Sequence, residues 1–335
     1  MILQVLPLAE GAAQLVRVYG QDPVLQLPDT LPSPGGPLPL TQLGDYCFAP
    51  ALRTLPQGTV WYGQQGAEFV PIPAPADPAA LHPVCGSFVE QVTLPAPLAL
   101  VGSCAFYNCR QLHRLTLGPG QLRMGSDVFL NCFALEQLVL RARPDQATGL
   151  EALVANLTEQ VSALFWPAGQ PQPLAGLWYP AYWEDIEETP AHILLHTFSG
   201  QGYHYRQCFR AGQVLPEEYD AIFAQGHDAD DPEIVAMLCF DRLRWPWRLE
   251  PGPRQAYREF LSAQGLRVVQ RLLRRQDTPA LQALLALDVL DADTLAQGSA
   301  LARRAENAAA ASLLAEAERS RRAAAPRRPR YDFDF

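Results

Sequence analysis

The sequence predicts an α+β chain in which a short solenoid of stacked coils precedes an all-α helical region. Three observations carry this reading. Leucine-rich strand patterns recur every 23 residues between positions 89 and 140, helical periodicity takes over from about residue 211, and an aromatic, proline-broken stretch separates the two regimes. A hydrophobic fraction of 48% over 335 residues is enough for two ordinary cores.

The repeat fixes the first region. Val89, Leu112 and Leu135 align, as do Val92, Leu115 and Leu138, and then Leu94, Leu117 and Leu140. Each segment spells a strand whose leucines face a core. Between strands, Gly102, Ser103, Phe106, Asn108 and Cys109 recur as Gly125, Ser126, Phe129, Asn131 and Cys132. Eight of the sixteen residues from 102 to 117 are identical 23 positions later, where composition alone gives about one. Such a fixed register follows if each coil must cross the core and begin its next strand one level higher. Glycine eases the turn, serine caps a short helical turn, phenylalanine fills the space behind the strand, and asparagine satisfies backbone groups on the curve. Cys109 and Cys132 are expected on adjacent coils, inward and reduced.

The segments "VGSCAFYNCRQLHRLTLGPG" and "MGSDVFLNCFALEQLVL" resemble the BspA-type, or Treponema-type, leucine-rich repeats. The resemblance implies a protein-binding leucine-rich-repeat solenoid, often found on bacterial surfaces. "LQLP" at 25–28 and "VTLP" at 92–95 look like further strands, and "LGDYCF" at 43–48 looks like a further return. Pro83 stands where the aromatic is expected, and 29–40 is a Pro/Gly-rich insertion.

After Leu140, Thr148 precedes Leu150, Leu153, Val154 and Leu157 at helical spacing, and "VSALFWP" follows as a strand. Together these predict a cap over the last coil, whose open core otherwise invites aggregation. Further on, "HILLHTF" and "YHYRQCF" around a Ser-Gly-Gln-Gly turn predict a β-hairpin over 192–208. Helices are expected at 216–225, at 232–244 with Asp231 as N-cap, and at 254–263, 266–275, 278–287, 292–304 and 307–322. Within them, "LLRRQDTPALQALLALDVL" and "LARRAENAAAASLLAEAE" repeat at an interval of 29 and resemble degenerate ankyrin helix pairs, a generic bundle being the other reading. The organisation expected is a capped solenoid over 1–165, an aromatic linker and hairpin over 166–210, a helical domain over 211–322 and a disordered Arg-rich tail over 323–335.

Catalytic patterns are sparse. His192, His196, His204, Cys208, His227, Asp228 and Asp230 are the raw material for a zinc site, yet no HExxH accompanies them. "HDADDPE" lacks the central glycine and terminal glutamate of an EF-hand and caps the following helix instead. Glu184, Asp185, Glu187 and Glu188 in "YWEDIEE" read as a solvated turn. No GxSxG elbow, Walker loop or GxGxxG is present. No catalytic residue, metal or cofactor is therefore expected. The alternatives are a metal-dependent hydrolase centred on the hairpin and a nucleic-acid binder acting through the arginine tail.

A net charge of -9 offers nucleic acid and anionic membrane no global attraction. All 26 basic residues are arginine, as a GC-rich bacterial genome gives. The start of the sequence lacks a basic n-region and cleavage site, no apolar run reaches the ~18 residues of a membrane span, and the seven cysteines form no CxxC pair. These features predict a cytoplasmic protein; that its partner is another protein is what the resemblance implies. In each LxxLxL strand the leucines point into the core, so the intervening residues, Glu90, Gln91 and Thr93, then His113, Arg114 and Thr116, then Glu136, Gln137 and Val139, are expected on the outer, concave sheet surface, which is the expected binding face.

Overall fold

In the computed structural model, residues 1–51, 56–188 and 194–324 are described. The chain divides into two compact units, Met1–Asp230 and Asp231–Phe335. The first opens with strands β1 (Ile2–Pro7) and β2 (Ala13–Tyr19), paired antiparallel. Next come β3 (Val24–Gln26), β4 (Thr30–Leu31), β5 (Leu38–Leu43), β6 (Val60–Gln65) and β7 (Glu68–Ile72). The repeat region follows with β8 (Gln91–Thr93), β9 (Leu100–Val101), β10 (Arg114–Leu117), β11 (Arg123–Met124) and β12 (Gln137–Leu140).

Each coil supplies one strand to each of two parallel ladders. Strands β3, β8, β10 and β12 form the first, with Gln91, Arg114 and Gln137 in register as the 23-residue interval requires. On the opposite wall, β5, β9 and β11 pair in parallel. Leu25, Val92, Leu115 and Leu138 fill the space between, none more than 3% exposed. The solenoid spans about six turns over residues 13–165.

Behind the strands runs a column of phenylalanines. Phe106 stacks on Phe129 with centroids 5.4 Å apart and on Phe48 at 5.0 Å, both at 13° between ring planes. Phe48 thus fills the place that Pro83 was expected to spoil. Phe48 and Phe106 are separated by 58 residues because the chain leaves the coil near Ala49 and returns at Val84. The excursion carries β6 and β7, and β6 pairs with β1. It is absorbed without loss of register because it leaves and returns within a turn: Gly86 N–H donates to Phe48 O at 2.7 Å.

Two expectations about the turn are corrected. Ser103 and Ser126 cap no helix; the Ser103 hydroxyl accepts the Ser126 N–H of the next coil at 3.3 Å. Asn108 and Asn131 adopt left-handed φ of 61° and 64°, and the Asn131 amide donates to the Asn108 side chain at 2.8 Å rather than to backbone. Asparagine tolerates that conformation better than most residues, which accounts for its recurrence. The cysteines satisfy the backbone instead, Cys109 Sγ donating to Phe48 O at 3.3 Å and Cys132 Sγ to Phe106 O at 3.0 Å. Gly125 is required by approach between coils, since a Cβ there would lie 2.5 Å from Ser103 N.

The far end is covered by α1 (Leu150–Val154), β13 (Val161–Phe165) and β14 (Ala175–Tyr179). β13 extends the parallel ladder and β14 closes it antiparallel. Next come β15 (Trp183–Glu188), β16 (Leu194–Ser199), α2 (Gly202–Tyr205), β17 (Phe209–Arg210), β18 (Gln213–Val214) and α3 (Pro216–Phe223). The expected 192–208 hairpin is corrected here. β16 pairs antiparallel with β15, so "WEDIEE" is a strand and not a turn, and "YHYRQCF" contains α2. The helix sends the consecutive residues Tyr205 and Arg206 inward, 0% and 5% exposed, which strand alternation forbids.

Arg206 ties the cap together. Its guanidinium donates to the carbonyls of Val154, Leu157, Glu159, Pro180 and Gly202 at 2.6–3.2 Å. Tyr182 and Tyr179 lie 5.0 and 5.9 Å away for cation–π contact. Burial lowers the Arg206 pKa to about 10, so it is charged at neutral pH. Arg17 does the same at the other end, donating to the carbonyls of Tyr46, Cys47 and Ala49.

The second unit comprises α4 (Pro232–Arg244), α5 (Pro251–Arg274), α6 (Thr278–Ala286), α7 (Ala292–Arg304) and α8 (Ala308–Ala324). Asp231, Asp277 and Asp291 accept from Glu233, Ala280 and Thr294 N–H groups as N-caps. The helices expected at 254–263 and 266–275 are one, because Gly265 marks close packing and not a break: a Cβ there would lie 2.2 Å from Leu290. The internal repeat has an interval of 30 and not 29. Gln276 and Glu306 share φ of 54°, Asp277 and Asn307 cap identically, and Leu284 and Leu314 are each 0% exposed. Glu233 bonds Arg271 at 2.7 Å and Arg274 at 2.5 Å. Burial opposes ionisation of Glu233, but these two arginines outweigh it and hold the carboxyl below its usual range. Among the described residues no helix is long and apolar enough to cross a membrane. Residues 325–335, most of the expected tail, lie outside the described residues.

Phe106→Ala should cost about 3–5 kcal/mol in denaturant unfolding, since it opens a cavity between two rings. A midpoint equal to the parent's would show that the column carries no stability. Cys47, fully buried, has its pKa pushed up to about 12 by burial, with Arg17 pulling part of the way back. The folded state therefore holds the thiol proton where the unfolded chain releases it. Its contribution is present below about pH 9 and is lost as pH rises toward 12. The urea midpoint should fall between pH 8 and roughly 10.5, and fall less in Cys47→Ala. Equal drops in the two proteins would contradict this.

Candidate functional site

The outer face of the first ladder is built by strand alternation. On β8, β10 and β12 the leucines and Val92 turn inward, so Gln91, Arg114 and Gln137 form one row on the opposite face. Thr93, Thr116 and Val139 form the next. Gln91, Thr93, His113, Arg114, Thr116, Glu136 and Gln137 are half-buried, Glu90 is exposed, and Val139 is only 5% exposed, part of the floor. His113 is held by hydrogen bonds on both ring nitrogens. Its Nε2 lies 3.1 Å from the Gln91 amide and its Nδ1 3.2 Å from Gln111 O, a pattern that suits the Nδ1–H tautomer with Gln91 as donor.

A groove of about 430 Å³ lies on this face. Its floor includes Gln91, Thr93, Arg114, Thr116 and Val139, and one wall is the loop Trp166–Gln170. Five of the nine residues expected on the binding face thus line one depression. Sequence reasoning missed Val24, Arg141, Trp166 and Gln170, which also line it. The signal was available for two of them: Arg141 continues the outward alternation of Gln137 and Val139, and Trp166 follows Phe165 beside it, with Trp166 N–H donating to Leu140 O at 2.8 Å. The indole N–H donates to Gln170 O at 2.9 Å, which holds the loop and leaves the ring apolar toward the groove.

The residues considered for zinc are dispersed. His196 Nδ1 lies 2.6 Å from Glu184 Oε1 across the exposed β15–β16 hairpin. His227 Nδ1 lies 2.7 Å from a buried Asp230 carboxylate, whose other oxygen accepts the Gln201 N–H at 2.8 Å. Cys208 Sγ donates to His204 O, and burial pushes that thiol up to about 12, far from a ready metal thiolate. His192 lies outside the described residues. Among the described residues no three His, Cys, Asp or Glu side chains gather to hold a metal ion. Cys109 is also quiet: the neighbouring Cys132 thiol and burial both push its thiol up.

No protein-family profile matches the sequence, and no curated protein matches it. Among solved structures, a leucine-rich repeat protein from Bacteroides capillosus is similar at 16% identity over 41% of this chain and 76% of that one, with a TM-score of 0.29. A leucine-rich cell surface protein from Faecalibacterium prausnitzii is similar at 16% identity over 41% of this chain, with a TM-score of 0.25, and the match spans 35% of that protein. The assignment of this chain as a leucine-rich-repeat-type solenoid with a helical C-terminal region rests on the ladders and recurring turn positions described above.

Proposed function

We propose that the protein is a non-catalytic interaction or adaptor protein that binds another protein on the concave face of its solenoid. The observation that carries this reading is the register of polar side chains on β8, β10 and β12, which places chemically varied groups side by side on a rigid sheet. The binding residues are Glu90, Gln91, Thr93, His113, Arg114, Thr116, Glu136, Gln137 and Val139. In the same reading the coils are of the BspA type, the 30-residue helix pairs are divergent ankyrin-like units, and the protein works in a bacterial cytoplasm without cofactor or metal. Functionally the chain would run as capped solenoid to 165, linker and hairpin to 210, helical domain to 322, and then a basic tail.

Capture from the native host with the tagged parent chain and with His113, Arg114 and Glu136 replaced together tests the reading. The triple variant should lose the parent's specific partner while its melting temperature stays within about 2 °C, because these side chains are half-exposed. Undiminished capture by a folded triple variant would move the binding site to the helical unit.

A further inference from the structure

We propose that the concave groove takes an extended peptide segment that presents two carboxylates, one to Arg114 and one to Arg141. The inference rests on the reading of this face as the binding surface and adds the chemistry of its occupant.

Charge comes first. The chain carries a net charge of -9, yet among the described residues the only charged side chains lining the groove are Arg114 and Arg141. Several arginines elsewhere are engaged: Arg17 and Arg206 hold backbone carbonyls, Arg271 and Arg274 hold Glu233, and Arg143 holds Asp145. Among the described residues neither Arg114 nor Arg141 has a hydrogen-bond or ion-pair partner from its side chain. Arg114 is flanked across the ladder by Gln91 and Gln137, which are neutral. Two guanidiniums in one depression without counter-charge favour a ligand that brings its own carboxylates.

Spacing and size select a peptide. Arg114 opens β10 and Arg141 follows β12, bonded through its N–H to Leu117 O. One strand apart sideways and four residues along, their Cα atoms lie about 14 Å from each other on the same face. In an extended peptide, same-face residues lie ~7 Å apart at i, i+2 and ~13 Å at i, i+4, within reach of both flexible guanidiniums. Between the arginines lie Thr116 and Val139, with the Trp166 ring at the Arg141 end, so an apolar or aromatic residue between the acids fits the floor. Five parallel strands of about four residues offer a patch of roughly 19 by 13 Å, well below the ~800 Å² per partner of a globular interface. A strand-like segment matches that area. Polyanions do not, because two arginines neutralise little phosphate and the net charge repels the rest.

The test is selection from a random heptapeptide display library on the full chain, followed by fluorescence anisotropy of labelled synthetic copies of the selected peptides. Binding is compared for the parent, Arg114→Gln, Arg141→Gln and the groove-filling Thr116→Trp, each first shown to melt like the parent. Selected peptides should carry Asp or Glu two to four positions apart. Each arginine variant should weaken them about tenfold, as should Asn or Gln in place of the acids. Peptides that Thr116→Trp excludes but that show no acidic preference would overturn the carboxylate inference and leave the concave-face reading standing. If no peptide is selected, or none is sensitive to Thr116→Trp, both fall together.

Discussion

Everything in the first unit depends on one constraint: the inner backbone of each coil can be satisfied only by the next coil in the same register. Cys104, Phe106 and Asn108 donate their N–H groups to Ser126, Val128 and Leu130, each across a coil boundary. A one-residue slip would turn the leucines outward and break this ladder at once. Residues of one kind therefore lie over their own kind, phenylalanine on phenylalanine and asparagine on asparagine. The same constraint leaves the two end coils with unmet groups. β2 closes one wall at the start of the solenoid by pairing with β5, and β14 closes the other ladder at its end. Arg17 and Arg206 gather carbonyls of these end regions that no strand can reach.

Much of this was legible in the sequence because the constraint acts on residue identity. Where coils stack without interruption, positions 102–140 repeat their Phe, Cys and Asn, and the register could be read directly. It could not be followed through the excursion after Phe48, since an insertion inside a turn leaves no periodic trace. The serines and asparagines were read as satisfying their own coil, whereas their partners lie one coil away, at 23 residues in sequence. In the 192–208 stretch, alternating aromatics looked like a strand, but the demand for Arg206 inside the cap imposed a helix. In the second unit, adjacent leucine pairs concealed the interval; the left-handed residues before the caps, Gln276 and Glu306, reveal it. Gln91, Thr93, Arg114, Thr116 and Val139, the five that line the groove, were legible in the leucine spacing. The groove wall beyond Trp166 was not legible, because it is a loop returning over the sheet from outside the repeat.

The arginines divide between architecture and open surface. Arg17 and Arg206 are buried, and each is neutralised by carbonyl dipoles, which fixes it as architecture. Arg114 and Arg141 lie on the solvent side of a sheet whose neighbouring positions are glutamine, threonine and valine, and no carboxylate answers them among the described residues. Strand alternation alone puts them there. A sheet with this register can hardly present any other face, so the chemistry that the face offers is set by the residues between the leucines.

The register itself is tested most directly by cross-linking. Thr93 and Thr116 are Cα partners on adjacent strands, about 5 Å apart. Thr93→Cys with Thr116→Cys should close a disulfide on mild oxidation, mapped by mass spectrometry of the digest. Thr93→Cys with Arg114→Cys, displaced by two residues to roughly 8 Å, should not. Formation of the displaced bridge in preference to the in-register one would contradict the 23-residue stacking on which the account stands.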